Sequence, residues 1–130
     1  MRPEDHVVQR SGENRTTWHD SHGGRGAIDV QRYFERSLPW PIELEMWVVP
    51  VGASEGTHVH DHSDTDGYAH AREVYVVVEG HARVTLDGVE HDFGPGDAFA
   101  AGCKVTRGIA NIGTTPLKVV IVNDPGPPLD

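Results

Sequence analysis

Short runs of alternating polarity recur along this chain, each cut off by a Gly-, Pro- or Asp-containing turn, and helical periodicity is missing almost everywhere. Successive side chains of a strand point to opposite faces, so runs of this kind describe strands with one face buried. Residues 27–34 alternate well enough for one strand. Ile42, Leu44, Met46 and Val48 alternate with Glu43, Glu45 and Trp47, and Ala82, Val84 and Leu86 with Arg83, Thr85 and Asp87. Asp87-Gly88 then predicts a hairpin and Gly94-Pro95-Gly96-Asp97 a tight turn. Residues 73–78 read as apolar on both faces, which predicts a central strand packed from both sides. Two further strands are expected over 105–112 and 117–122. Many short strands between Gly-rich turns predict an all-β jelly-roll barrel, which closes or covers its sheet edges.

A chain of 130 residues builds one such domain. The expected organisation is an N-terminal arm and first strand over 1–38, a barrel over 39–124 and an extended tail over 125–130. A net charge of −9 counts against a nucleic-acid partner, which needs a basic footprint. Cys103 is the single cysteine, so an intrachain disulfide and a Cys-rich zinc site are both excluded. A reducing, cytoplasmic location is the expectation. The first residues, Met1-Arg-Pro-Glu-Asp-His, contain no apolar signal segment, and no run approaches the length of a membrane span.

Chemistry concentrates between Gly52 and Gly80, in Gly-x5-His58-x-His60, a polar insert, and Glu73 opening the next apolar run. Histidines at i and i+2 share one strand face, and imidazole nitrogen with carboxylate oxygen suits a divalent transition metal. Glu73 can supply a third donor from a neighbouring strand. The insert brings in His62 and His70. His62 continues the alternation of His58 and His60, and His70 stands close before Glu73. The third donor therefore stays open among Glu73, His62 and His70.

Together these residues resemble the cupin family over about residues 43–123. The first cupin motif is similar to Gly-x5-His-x-His-x3or4-Glu-x6-Gly, and Gly52, His58, His60, Glu73 and Gly80 fall on it. On the second motif Gly96 and Asn111 fall in register. The resemblance implies a double-stranded β-helix with a metal inside it, usually in a homodimer. Two departures stand out. Where the second motif carries a metal-binding histidine this chain has Arg107, which is permanently cationic and cannot ligate. The gap between His60 and Glu73 is also longer than the pattern, which suggests that His62 or His70 replaces the lost ligand. The resemblance turns Arg107 inward, where it pairs with Glu73 or Glu79 or holds a substrate anion.

Size, motif and the His22-Gly-Gly-Arg-Gly26 segment are similar to the small monocupin cyclases of aromatic polyketide biosynthesis. That resemblance implies one divalent ion per chain, with zinc favoured over iron, manganese or nickel, acting as Lewis acid on a polyketide precursor borne by a carrier protein. His62, Arg107 and Tyr75 are the expected catalytic residues. Tyr75, Val77, Phe99, Ile109 and Met46 or Trp47 are expected to line a largely apolar pocket. An Fe(II) dioxygenase and a non-catalytic small-molecule-binding cupin are the alternatives.

Overall fold

The computed structural model describes residues 1–35, 37–60 and 71–126. Among the described residues ten strands form two antiparallel sheets: β1 (Arg15–His19), β2 (Ala27–Tyr33), β3 (Glu43–Val49), β4 (Ser54–His58), β5 (Arg72–Glu79), β6 (Ala82–Leu86), β7 (Val89–Phe93), β8 (Ala98–Ala101), β9 (Arg107–Asn111) and β10 (Leu117–Asp124). The larger sheet runs β1-β2-β3-β10-β5-β8 and the smaller β4-β9-β6-β7. This is the all-β jelly-roll that the alternation predicts. A single 3₁₀ turn, Ser21–Gly23, joins β1 to β2. No helix among the described residues is long and apolar enough to cross a membrane.

Local turn chemistry sets the connections. Asp87 and Gly88 both adopt positive φ, at 48° and 81°, as a two-residue type I′ hairpin between Leu86 and Val89 requires. At Gly94–Asp97 the Asp97 amide donates to the Gly94 carbonyl, and the Gly94 amide to the Asp97 carboxylate. The expected strand over 105–112 is shorter than read, because Val105 still belongs to a turn closed on the Gly102 carbonyl.

Apolar side chains from both sheets meet between them, with Ile28, Val49, Val77, Val84, Leu117 and Ile121 buried. Aromatic rings continue this core along the large sheet. Trp18 packs edge-on against Trp47, Trp47 against Tyr75, and Tyr75 stacks on Phe99 at 4.5 Å. Burial of area on this scale, at roughly 25 cal/mol per Å² of apolar surface, is the main force holding the two sheets together.

The two-sided reading of residues 73–78 does not hold. Glu73, Tyr75 and Val77 are buried, whereas Val74 and Val78 on the opposite face are 39% and 44% exposed. A continuous apolar run reports that both faces avoid water, but not that one chain supplies both covers. On β3, which lies across β10 from β5, the apolar-in expectation is inverted. Its glutamates and Trp47 face the barrel, while Leu44, 37% exposed, lies on the outer face with Met46 and Val48.

Asn111, from the second motif, ties three backbone groups together. Its amide donates to the Val49 and Thr115 carbonyls, each at 2.9 Å, and its Oδ1 accepts from the Gly113 amide at 2.8 Å. Asn111→Ala strands two carbonyls and one amide in a buried corner, so it is expected to destabilise the fold by about 2–3 kcal/mol. Urea unfolding measures this, and a loss under about 0.5 kcal/mol would refute the role.

Candidate metal centre

A cavity of about 330 Å³ opens at one end of the barrel, and its wall includes Trp18, His22, Glu45, Trp47, Glu55, His58, His60, Glu73, Tyr75 and Asn123. It is far more polar than the expected apolar pocket. Trp47 and Tyr75 do line it, but Val77, Phe99 and Ile109 lie in the core and Met46 points to the outer face. The inward face of β3 carries glutamate where alternation alone would place an aliphatic residue.

β4 delivers two of the polar groups. Against β9, Glu55 pairs with Ile109 and His58 with Arg107, so three steps on β4 match two on β9. This β-bulge lets Glu55 and His58 share the inner face despite their odd spacing. The His58 Nδ1–H donates to the Gly56 carbonyl at 3.0 Å, because a carbonyl can only accept. That bond fixes the tautomer and leaves Nε2 with a lone pair toward the cavity, as in metal-binding histidines. Burial pushes the His58 imidazole down to about 4, so it is neutral and ready to donate.

His58 belongs to two groups whose donor atoms lie within 4.8 Å of one another: His58 with His60 and Glu73, and His58 with His22 and Glu55. In the first, His60 Nε2 is 3.3 Å from Glu73 Oε1, and the His58 and His60 rings stand nearly perpendicular, at 82°. In the second, His58 Nε2 is 3.8 Å from Glu55 Oε1. Two donors each about 2.0–2.2 Å from one ion stand roughly 3–3.5 Å apart. The spacing therefore fits a small divalent cation with modest closure.

Glu55 adds an independent sign of fit. It is 4% exposed, and its Oε1 has no hydrogen-bond partner while Ser21 donates to Oε2. A buried carboxylate oxygen left in this way is costly unless a proton or a cation meets it. Burial, with the nearby Glu73 charge, pushes the Glu55 carboxyl up to about 8. The donor set and the orphaned oxygen thus suit a divalent metal.

Glu73 is held differently. Burial alone would raise its carboxyl, but hydrogen bonds from His60 and Arg107 outweigh that and keep it below its ordinary value. Arg107 is 1% exposed. Its Nη1 donates to Glu73 Oε1 at 2.7 Å, Nε to the Val105 carbonyl at 3.1 Å, and Nη2 to the Gly102 carbonyl. Of the two pairings open to Arg107 in the sequence, the one with Glu73 is formed. Arg107 stands behind Glu73 and is not on the cavity wall, so the geometry makes it a positioning residue and does not favour substrate contact.

Tyr75 is buried, with its hydroxyl 3.5 Å from Glu73 Oε2. Burial, reinforced by the surrounding glutamates, pushes its phenol well above the ordinary value, which rules out a phenolate base near neutral pH. At the mouth, Arg32 Nε donates to Glu45 Oε2 at 2.8 Å and Trp47 Nε1 to Glu45 Oε1 at 3.1 Å. His62 and His70 lie outside the described residues.

Sequence reasoning missed Glu55 and left His22 open between capping a dimer interface and covering the cavity. His22 stacks face to face on His58, with ring centroids 3.8 Å apart and planes 7° from parallel. Gly24 and Gly56 make that possible. A Cβ on Gly56 would stand 2.0 Å from the His22 carbonyl oxygen, and one on Gly24 would stand 2.1 Å from the Ser54 oxygen. Gly24 and Gly56 are the local traces of this contact in the sequence.

The cupin domain profile matches residues 45–123. An uncharacterised protein of Methanocaldococcus jannaschii is 32% identical over 78 residues, spanning 60% of this chain and 56% of that protein. The chain therefore matches little more than half the length of that relative. Among solved structures, a predicted oxalate decarboxylase of Thermotoga maritima superposes with a TM-score of 0.78 at 21% identity, over 91% of this chain and 98% of that one. A cupin 2 conserved barrel domain protein of Salinispora arenicola gives 0.66 at 20% identity, over 92% and 87%. A putative sugar phosphate isomerase of Acidithiobacillus ferrooxidans gives 0.63 at 16%, over 75% and 58%. These three likenesses concern the fold. With the domain profile spanning more than half its length, and with His58, His60 and Glu73 gathered at the barrel cavity, the chain belongs to the cupin family.

Proposed function

We propose that this protein is a metal-dependent enzyme that moves protons beside a carbonyl group of a small substrate, its specific reaction being the cyclisation of an aromatic polyketide precursor by enolisation and aldol condensation. One observation carries the reading: imidazoles and carboxylates converge on a single cavity, and one buried carboxylate oxygen there lacks a partner. A bound divalent ion supplies Lewis-acid polarisation of the carbonyl and stabilises the enolate. His58 offers its Nε2 lone pair, and Arg107 keeps Glu73 anionic beside it. Trp18, Trp47 and Tyr75 give the cavity an aromatic wall, which suits an aromatic substrate. A volume of about 330 Å³ is near the lower end for small-molecule sites, which suits one compact substrate portion.

The polyketide step rests on the resemblance of the His22–Gly26 segment and on chain size, and the metal chemistry rests on the cavity. Untagged protein is expected to contain about one divalent ion per chain. Zinc-loaded protein is expected to cyclise a poly-β-keto thioester under strictly anaerobic conditions. Turnover that requires iron and dioxygen would replace this reading with a dioxygenase. Metal-free protein that binds a small aromatic compound without turnover would make it a binding module.

The outer face with Leu44, Val74 and Val78 supports a homodimer in which a second copy covers the same patch across a two-fold axis. Sedimentation of wild type and of a V74K/V78K variant measures this, with a monomeric wild type as the opposing result.

A further inference from the structure

We propose that the metal shell includes a ligand from outside the barrel, with His22 and Glu55 joining His58 around the ion while Glu73 stays with Arg107. This rests on the reading that the barrel holds a metal, and it selects between the two donor groups that share His58.

Two of the donors that the cupin pattern implies are compromised here. The second-motif histidine is Arg107, and the same guanidinium occupies Oε1 of Glu73 at 2.7 Å. His60 Nε2 also points to that oxygen, at 3.3 Å. Arg107, Glu73 and His60 thus form one hydrogen-bonded chain on the far side of His58.

On the near side, several features cooperate to bring in His22. The 3₁₀ turn Ser21–Gly23 lies directly on the β4 backbone, with Gly24 and Gly56 leaving no room for any side chain. Asp20 and His22 both hold left-handed backbone, at φ 49° and 51°, a conformation uncommon outside glycine and concentrated at functional sites. Hydrogen bonds over-determine it. The Asp20 amide donates to the Gly26 carbonyl, the Gly26 amide to Asp20 Oδ1, and the Gly23 amide to the Asp20 carbonyl. Ser21 Oγ donates to Glu55 Oε2 at 3.2 Å, which turns the partnerless Oε1 toward His58 Nε2. One turn therefore sets both His22 and Glu55.

The stacked pose is not itself a coordination geometry, since an ion lies in the plane of each imidazole that binds it and parallel planes share no such point. His22 is exposed, and rotation about its Cβ–Cγ bond tilts its ring toward the ion without moving the turn. Its role as ligand is thereby separable from its role as stacking partner.

Cobalt(II) titration of chelator-stripped full-length protein separates them, read by visible d–d absorption and by dissociation constant. His22→Phe keeps a flat ring over His58 but removes the donor, and Glu55→Gln keeps shape but weakens the carboxylate. Circular dichroism verifies that each variant is folded. Each is expected to bind cobalt at least about 100-fold more weakly than wild type, beyond the 10–100-fold range of outer-shell changes. The residual complex should show a shifted absorption envelope. Wild-type affinity and spectrum in both variants would overturn the assignment while leaving a metal centre in the barrel. Absence of cobalt binding by wild type would overturn the metal reading itself.

Discussion

Replacement of Arg107 by methionine is expected to cost about 3–5 kcal/mol of folding stability, because it strands a buried carboxylate without its counter-charge. Glu73 is 7% exposed and takes its hydrogen bonds from Arg107, His60 and the Tyr75 hydroxyl, with only Arg107 permanently charged, and methionine roughly fills the volume of the arginine stem. The same change removes a guanidinium donor from the Gly102 and Val105 carbonyls, of which Gly102 still accepts from the Val105 amide. Removing the charge on both sides reverses much of the loss, since the desolvation of an ion pair is itself costly. An R107M/E73Q double variant should therefore recover at least half of the deficit. Urea unfolding of metal-stripped proteins measures all three. A single variant within 1 kcal/mol of wild type would show that the pair contributes little.

Glu55→Gln is expected to stabilise the metal-stripped protein on the alkaline side and to flatten its pH profile. The folded-state value of Glu55 is raised from 4.5 to about 8, so the folded chain keeps a proton that the unfolded chain releases. Its contribution is fully present below pH 4.5, falls as pH rises and is exhausted above about 8. His58 acts in the opposite sense. Its folded value is lowered from 6.5 to about 4, so stability is lost as pH falls through that window. Between about 4.5 and 6.5 the two slopes oppose one another, and only the Glu55 slope remains from 6.5 to 8. At 1.36 kcal/mol per unit, wild type should lose about 2 kcal/mol between pH 6.5 and 8, and E55Q should not. Denaturation at half-unit steps settles it, and parallel profiles for the two proteins would contradict the buried-carboxylate account.

The barrel was legible because its information is local. Asp87-Gly88 and Gly94-Pro95-Gly96-Asp97 specify their turns without help from distant residues, and alternation over 82–86 and 117–122 follows from the pleat. His58 and His60 were legible for a related reason, since an i, i+2 spacing carries them, and Glu73 because it opens the apolar run that becomes β5, although β4 and β5 belong to different sheets. Glu55 was hidden because period two places residues three apart on opposite faces, and only the bulge against β9 reverses that parity. His22 was hidden because its partner His58 is far along the chain, and strict alternation records nothing about tertiary contact. The face of β3 was misleading for a different reason: Glu45 serves the cavity, and Leu44, Met46 and Val48 serve an outer surface.

The last strand has a consequence for how the molecule is made. β10 is hydrogen-bonded to β3 on one side and to β5 on the other, so it is the seam of the larger sheet. A nascent polypeptide halted at residue 116 has two open ladders facing one another with nothing between them. The cavity wall contributed by Asn123 is missing at that stage as well. Closure during synthesis therefore waits until this seam has left the ribosome, and until then the bare ladders are the segments a holdase would cover.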